Sequence, residues 1–167
     1  MVKAIINSHA VILTSPVYGF NVSGAMKAFI DHLCYLWMPH RPHKEMFSKI
    51  GMIISTTVGA GTKFTNKTMK NALNFMGVKR IFSYGFAVYA VSWEEVSLKK
   101  KRRIEKTLNK KAVKIFNTVK NGDKIPCRIY TKILFLMMKR LLSGYEDDNF
   151  DKKYWRQMGW LNKVKPF

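Results

Sequence analysis

Two short stretches combine residue types that could do chemistry. Ser15-Pro16-Val17-Tyr18-Gly19-Phe20 follows the uncharged run Ala10–Thr14. A short apolar run bounded by turn residues, with a helix opening at Ser23-Gly24, reads as a buried parallel strand of an α/β sheet. In such sheets ligands bind outside the carboxyl ends of the strands, which is where Pro16 to Phe20 lies. Pro16 ends the strand, Tyr18 and Phe20 offer aromatic surface, and Gly19 lets the backbone approach a ligand. The alternative is a turn whose aromatics only cap the core. Thr56-Thr57-Val58-Gly59-Ala60-Gly61 ends a second apolar run, Lys49–Thr56. Its small residues would present backbone N–H groups to a ligand; the alternative is plain strand-to-helix punctuation. Gly59-Ala60-Gly61-Thr62-Lys63 lacks the GxxxxGK[ST] spacing, which rejects a nucleoside-triphosphate site.

The other reactive residue types are poorly placed for chemistry. His40 and His43 sit in a Pro-containing loop with no carboxylate or cysteine at ligand spacing, and His9 and His32 are isolated. No metal site is expected. Cys34 falls on an apolar helix face and reads as core. It and Cys127 are far apart without a CxxC, which argues against a disulfide framework or structural zinc and fits a reducing, cytoplasmic compartment. Asp31 has Lys27 one helical turn before it, a surface pair worth about 0.3–0.5 kcal/mol.

The elements that must position these stretches follow from the spacing of apolar residues. Met1–Asn7 reads as the last turns of a helix, and Ala10–Thr14 as the first strand. Ser23 is the expected N-cap of a helix whose stripe is Met26, Phe29, Ile30, Leu33, Cys34 and Trp37, broken at Pro39-His40-Arg41-Pro42. The second strand is followed by a helix from about Asn66 to Met76, stopped by Gly77. A third strand spans Arg80–Ala90. A long helix, Glu94–Asn121, turns Ile104, Leu108, Ala112, Ile115, Phe116 and Val119 inward, its other face being Lys and Arg. Another helix starts at Pro126 and runs to Leu142, with Arg128, Lys132 and Lys139 as a narrow polar stripe, closed by Gly144. A short aromatic segment, Tyr154-Trp155 to Trp160-Leu161, comes last. The 167 residues carry a net charge of +20. That raises a polyanionic partner as a possibility, the alternative being solvated helix faces. Nucleic acid has this charge in its favour but no recognition motif. An apolar helix face beside Lys and Arg is compatible with peripheral contact to an anionic membrane. The N-terminus shows no signal-peptide pattern, and the apolar run Ile133–Met138 is far below the roughly 20 residues of a membrane span.

The segment SPVYGFNVSGAMKAFIDHL, then KIGMIISTTVGAGT, then MGVKRIFSYGF resembles the flavodoxin-like NAD(P)H-dependent FMN reductase family. KKYWRQMGWLNK resembles the C-terminal ending of that family's larger bacterial members, so the likeness covers nearly the whole chain. It implies an α/β fold: a flavodoxin-like open parallel sheet of strand order 2-1-3-4-5 with flanking helices. This chain begins just ahead of SPVY. It is therefore expected to hold only the strands equivalent to 3-4-5, without the family's first strand, phosphate-binding loop and second strand, and with two extra C-terminal helices. One domain is expected over 1–167, with an α/β core at 1–122 and a helical extension at 123–167.

The resemblance further implies FMN as cofactor, with residues 15–20 and 56–61 against its ring, and NAD(P)H as electron donor. Hydride would pass through the flavin to a flavin, quinone or other small acceptor, with no catalytic side chain required. FMN binding is expected to be weak or absent without the phosphate loop. The alternative function is a truncated, non-catalytic chain serving as a subunit or partner-binding module. A homodimer, or a partner chain, is expected to cover the exposed edge strand.

Overall fold

The computed structural model describes residues 1–167 apart from the side chain of Asp123. Three strands, β1 (Ala10–Pro16), β2 (Ile50–Thr57) and β3 (Arg80–Ala87), form one parallel sheet in the order β1-β2-β3. Ala10 lies opposite Ile50, and Ile50 opposite Arg80. Six helices surround the sheet: α1 (Val2–Asn7), α2 (Gly24–His32), α3 (Thr62–Phe75), α4 (Leu98–Lys120), α5 (Ile129–Ser143) and α6 (Phe150–Gln157). This is the α/β order expected from the sequence, two terminal helices included.

Each sheet face builds its own core. Val11, Leu13 and Ile53 pack against Ile30 of α2, Leu33 just beyond it, and Met69 and Leu73 of α3, with Val2 and Ile5 of α1 at the margin. On the opposite face Ile50 and Met52 meet Ile115 of α4, with Leu108, Val119, Phe82 and Tyr84 around them. Helix α4 lies over β2 and β3, while Ile12 on β1 stays 57% exposed. A third core joins Met38 and Phe47 to Leu134, Phe135, Leu142, Trp155 and Trp160. It fastens α5 and α6 to the end of the sheet layer where β2 begins.

Several boundaries differ from those expected, each for a local reason. Helix α2 stops at His32 instead of continuing to Trp37. A 3-10 turn at Cys34–Leu36 redirects the chain, so that Trp37 stacks on Phe75 at 5.1 Å and the Met38 amide donates to the Phe75 carbonyl at 2.8 Å. Cys34 is left half-buried there. Helix α3 starts at Thr62, ahead of the expected Asn66; Phe64 in its first turn is exposed and falls off the apolar stripe of Met69, Ala72, Leu73 and Met76. Gly77 (φ +90°) closes it as expected. Strand β3 ends at Ala87, although the Val88 and Tyr89 amides still donate to Thr57 and Val58.

Helix α4 begins at Leu98 and not at Glu94, because the Ser97 hydroxyl accepts from the Lys100 amide and caps it there. Ala112 and Phe116, expected inside, are outside, with Phe116 67% exposed. The inward stripe is Ile104, Leu108, Ile115 and Val119. The basic face is not wholly solvated either: Lys111 and Lys114 lie over the rings of Tyr84 and Phe82 at 4.8 and 5.4 Å. Helix α5 begins at Ile129 rather than Pro126. The Arg128 guanidinium just before it turns inward and donates to Asn74 Oδ1 at 2.6 Å and to the Val78 carbonyl at 3.2 Å.

Lys49 is buried at 3% exposure. Its Nζ donates to the Ile6 carbonyl at 2.6 Å and the Ser8 carbonyl at 2.5 Å. Burial pushes its pKa below the ordinary lysine value, and the two carbonyls offset that cost by clasping the end of α1. Lys49→Met leaves both carbonyls without this donor, so a loss of about 1–3 kcal/mol is expected. Urea titration measures the loss, and faster amide exchange in α1 locates it.

Candidate functional site

Three loops gather at the carboxyl ends of the strands. Residues Tyr18–Asn21 close a tight turn: the Tyr18 amide donates to the Asn21 carbonyl at 3.0 Å and the Asn21 amide to the Tyr18 carbonyl at 2.9 Å. Gly19 and Phe20 both have positive φ, +54° and +59°, the geometry of a type I′ turn. Glycine adopts it freely. Phe20 does not, and a bulky residue held there stores strain. The turn therefore needs bracing. Asn21 Oδ1 accepts from the Val22 amide and from Thr68 Oγ1 on α3, and the Phe20 ring meets Phe64 edge-on at 6.3 Å.

The second loop is meshed with the first. A Cβ on Gly61 would come within 2.6 Å of Val17 Cγ1 and 3.3 Å of Phe20 Cδ1, so only glycine permits this approach. Gly61 has φ +105° and precedes α3 with no side-chain cap. Thr57 Oγ1 donates to the Ala60 carbonyl at 2.7 Å and holds the loop closed. A Cβ on Gly59 would meet nothing within 4 Å, so the backbone there is open to a ligand.

The structure thus brings the residues picked out in the sequence together, in different roles. Tyr18, Phe20 and Val58 are exposed at 65%, 63% and 54%, and with Pro16, Gly19, Thr56, Gly59 and Ala60 they form an open ledge. Val17 and Gly61 are the hinge between the two loops, and Thr57 is the brace. Ser15 is turned inward: its hydroxyl accepts from the Ser23 amide at 2.9 Å and donates to the Pro16 carbonyl at 2.8 Å. Ser23 Oγ in turn accepts from the Met26 amide, as expected of an N-cap.

The third loop was not foreseen. Tyr89, 72% exposed with φ +54°, stands beside Val58, to whose carbonyl its amide donates at 2.9 Å. Lys100 lies over the Tyr89 ring at 4.0 Å. Placing the third strand's end at Ala90 hid Tyr89 inside the strand; the rule that ligands gather at strand ends would otherwise have pointed to it.

The ledge fits the planar, apolar part of a flavin, because aromatic and aliphatic surface borders backbone without side chains at Gly59. The phosphate is served less well. At the α2 N-terminus the Ser23 and Met26 amides are already taken by Ser15 and Ser23 hydroxyls. Among the described residues no three His, Cys, Asp or Glu side chains gather as metal ligands. Burial pushes both the Cys34 and Cys127 thiols up, which disfavours the reactive thiolate. His40 does meet a carboxylate, Asp151 Oδ2 at 3.0 Å, supplied by α6. Arg41 Nε joins the same group at 3.3 Å. This is a clamp between the Pro39–Pro42 loop and α6, remote from the ledge. Lys27 and Asp31 form the expected exposed pair at 2.6 Å.

No curated protein matches this chain significantly. Among solved structures, a thermophilic tryptophan halogenase from Streptomycin violaceusniger is similar at 14% identity and TM-score 0.47, over 62% of this chain and 68% of that one. General stress protein 14 from Treponema denticola, solved in complex with FMN, is similar at 15% identity and TM-score 0.40, over 51% of this chain and 57% of that one. The Trp repressor binding protein from Bacillus subtilis is similar at 18% identity and TM-score 0.42, over 76% of this chain and 74% of that one. This chain thus spans little more than half the length of the Treponema protein. Residues 1–91, which contain the whole sheet and both meshed loops, match the NADPH-dependent FMN reductase family. That match takes in more than half of the chain, and the chain belongs to the NADPH-dependent FMN reductase family.

Proposed function

We propose that this protein is an FMN-dependent NAD(P)H oxidoreductase of the flavin, quinone or small-acceptor reductase type, with the flavin ring on the ledge of Pro16–Phe20 and Thr56–Gly61. The observation that carries the reading is the meshing of Gly61 with Val17 and Phe20, which fuses two strand-end loops into one apolar platform. When bound, FMN supplies the hydride-accepting and hydride-donating chemistry. The chain's own residues do the rest. Tyr18, Phe20 and Val58 present apolar surface to the ring, and Gly59 leaves its face accessible. The Ser15 hydroxyl sets the angle at which the first loop leaves β1. The ledge holds no His, Cys, Asp, Glu, Lys or Arg side chain, so catalysis rests on positioning. The domain is read as one flavodoxin-like unit, with its α/β core at 1–122 and its helical extension at 123–167.

Flavin fluorescence titration at about 0.2 M salt, where surface charge is largely screened, tests the reading. FMN and riboflavin are expected to bind within roughly threefold of each other, because ring contacts dominate and phosphate contacts contribute little. Flavin-loaded protein is expected to oxidise NADH or NADPH faster than the same concentration of free FMN. Oxidation no faster than free FMN overturns the assignment.

One observation favours a second reading, a non-catalytic subunit. Along β1 the outer edge has no partner strand among the described residues, and Ile12 beside it is 57% exposed. Such an edge invites pairing. A stable oligomer that turns over no NAD(P)H when loaded with flavin would favour this reading.

A further inference from the structure

Helix α5 is apolar on two opposite sides. One side, Thr131, Leu134, Phe135 and Leu142, is buried in the aromatic core with Trp155 and Trp160. The other side faces solvent. Ile129, Ile133, Leu136 and Met137 are exposed at 75%, 53%, 53% and 58%. Spaced three, four and eight residues apart, they share one helix face. Leu141 and Tyr130 extend it at 45% and 50% exposure. Isolated exposed apolar residues need no explanation, but a contiguous stripe on a folded helix marks an interaction surface. The core cannot account for it, since the core already has the opposite side.

Charge decides what the stripe meets. From Lys124 to Tyr145 the sequence contains five Lys and Arg and no Asp or Glu. Two of the five are tied down: Arg128 donates to Asn74, and Lys139 to the Asn162 carbonyl. Lys132 and Arg140 are exposed on the same solvent-facing side as the stripe. A second copy of the chain would have to bring these cations against their own images in a self-complementary contact, with a net charge of +20 on each partner. A surface of anionic lipid headgroups is instead complementary to them. We propose that the outer face of α5 is a peripheral docking surface for anionic lipid bilayers.

Length and side-chain chemistry agree with that occupant. Helix α5 has 15 residues, about 22 Å at 1.5 Å per residue, short of the roughly 30 Å hydrocarbon core. Among the described residues no helix is long and apolar enough to cross a membrane. The helix therefore lies in the interface, with Ile129, Ile133, Leu136 and Met137 entering the acyl boundary. Lys132 and Arg140 have stems long enough to bury while their charged ends stay with the phosphates, and Tyr130 is suited to the headgroup layer.

Vesicle co-sedimentation of the full chain tests the proposal. Vesicles of phosphatidylcholine alone are compared with vesicles containing about one-third phosphatidylserine, at about 0.1 M salt. Wild type is expected to bind the anionic vesicles and not the neutral ones. Replacing Ile133→Ser, Leu136→Ser and Met137→Ser together keeps the charge and alters only exposed positions. It is expected to weaken binding by on the order of tenfold or more, with an unchanged near-UV circular dichroism spectrum. Lys132→Gln with Arg140→Gln keeps the apolar face and is also expected to weaken binding. Equal binding by wild type and both variants would show charge attraction elsewhere on the protein and overturn the proposal. So would the absence of binding by wild type, or light scattering showing a dimer that the triple-serine variant dissociates while vesicles capture neither protein.

Discussion

Trp155→Ala is expected to destabilise the protein by about 3–5 kcal/mol, the usual cost of removing a buried tryptophan. Trp155 is fully buried. Its ring stacks on Phe135 at 4.9 Å and meets Trp160 edge-on at 5.3 Å, and its indole N–H donates to the His40 carbonyl at 2.9 Å. Truncation opens a cavity at the centre of the third core and strips the His40 carbonyl of that donor. A domain of this kind is stable by about 5–15 kcal/mol in total, so the loss is a large fraction. Trp155→Phe is the milder change: it retains most of the packing, loses the hydrogen bond, about 1 kcal/mol, and leaves a smaller cavity, so its cost is expected to fall well below that of Trp155→Ala. Urea midpoints measure both, provided the slope of the transition stays constant. A midpoint for Trp155→Ala within error of wild type would show that α6 is not fastened through this core.

Gly61→Ala is expected to reduce flavin affinity by on the order of tenfold or more, because it attacks the joint between the two loops. The new Cβ would fall 2.6 Å from Val17 Cγ1, and the backbone sits at φ +105°, where any side chain is strained. Either the first loop moves off α3 or Gly61 changes conformation; both tilt the platform of Tyr18, Phe20 and Val58. Gly24→Ala, whose Cβ would meet nothing within 4 Å, is the control and is expected to leave flavin binding unchanged. Flavin titration and a thermal melt on both variants give the comparison. Wild-type affinity in Gly61→Ala would remove the ledge as the ring site.

The parts of this fold that repeat a simple physical rule were legible in the sequence. Continuous apolar runs marked β1 and β2, and Ser23 and Gly77 marked helix ends through capping chemistry. Strand β2 is covered on both faces and has little need of polar alternation, whereas β1 is covered on one face only and leaves Ile12 and Thr14 exposed on the other. The misplaced boundaries are those set by tertiary contacts. Nothing local ends α2 at His32; the stacking of Trp37 on Phe75 does. Nothing local directs Arg128 inward; Asn74, which accepts from it, is 54 residues away in sequence. The candidate site divides in the same way. Small and aromatic residues at two strand ends identified the ledge, whereas the inward hydroxyl of Ser15 and the place of Tyr89 depend on how neighbouring loops lie. The outer face of α5 was visible only as apolar composition; which of its sides is buried is a property of the folded core.

The aromatic core also sets an order of events during synthesis. Phe47, just ahead of β2, is 1% exposed. Its ring neighbours are Phe135 at 6.0 Å, Trp160 at 5.9 Å and Phe167 at 6.1 Å. Domains generally fold as units, and during synthesis the strands of this one leave the ribosome before its last helices. Phe47 and Met38 therefore stay without their partners until residues 135–167 have followed. At a translation rate of about 5–20 residues per second, that leaves the nascent chain with an uncovered aromatic flank for several seconds. The interval in which a chaperone has most to bind is written into the distance between Phe47 and Trp160.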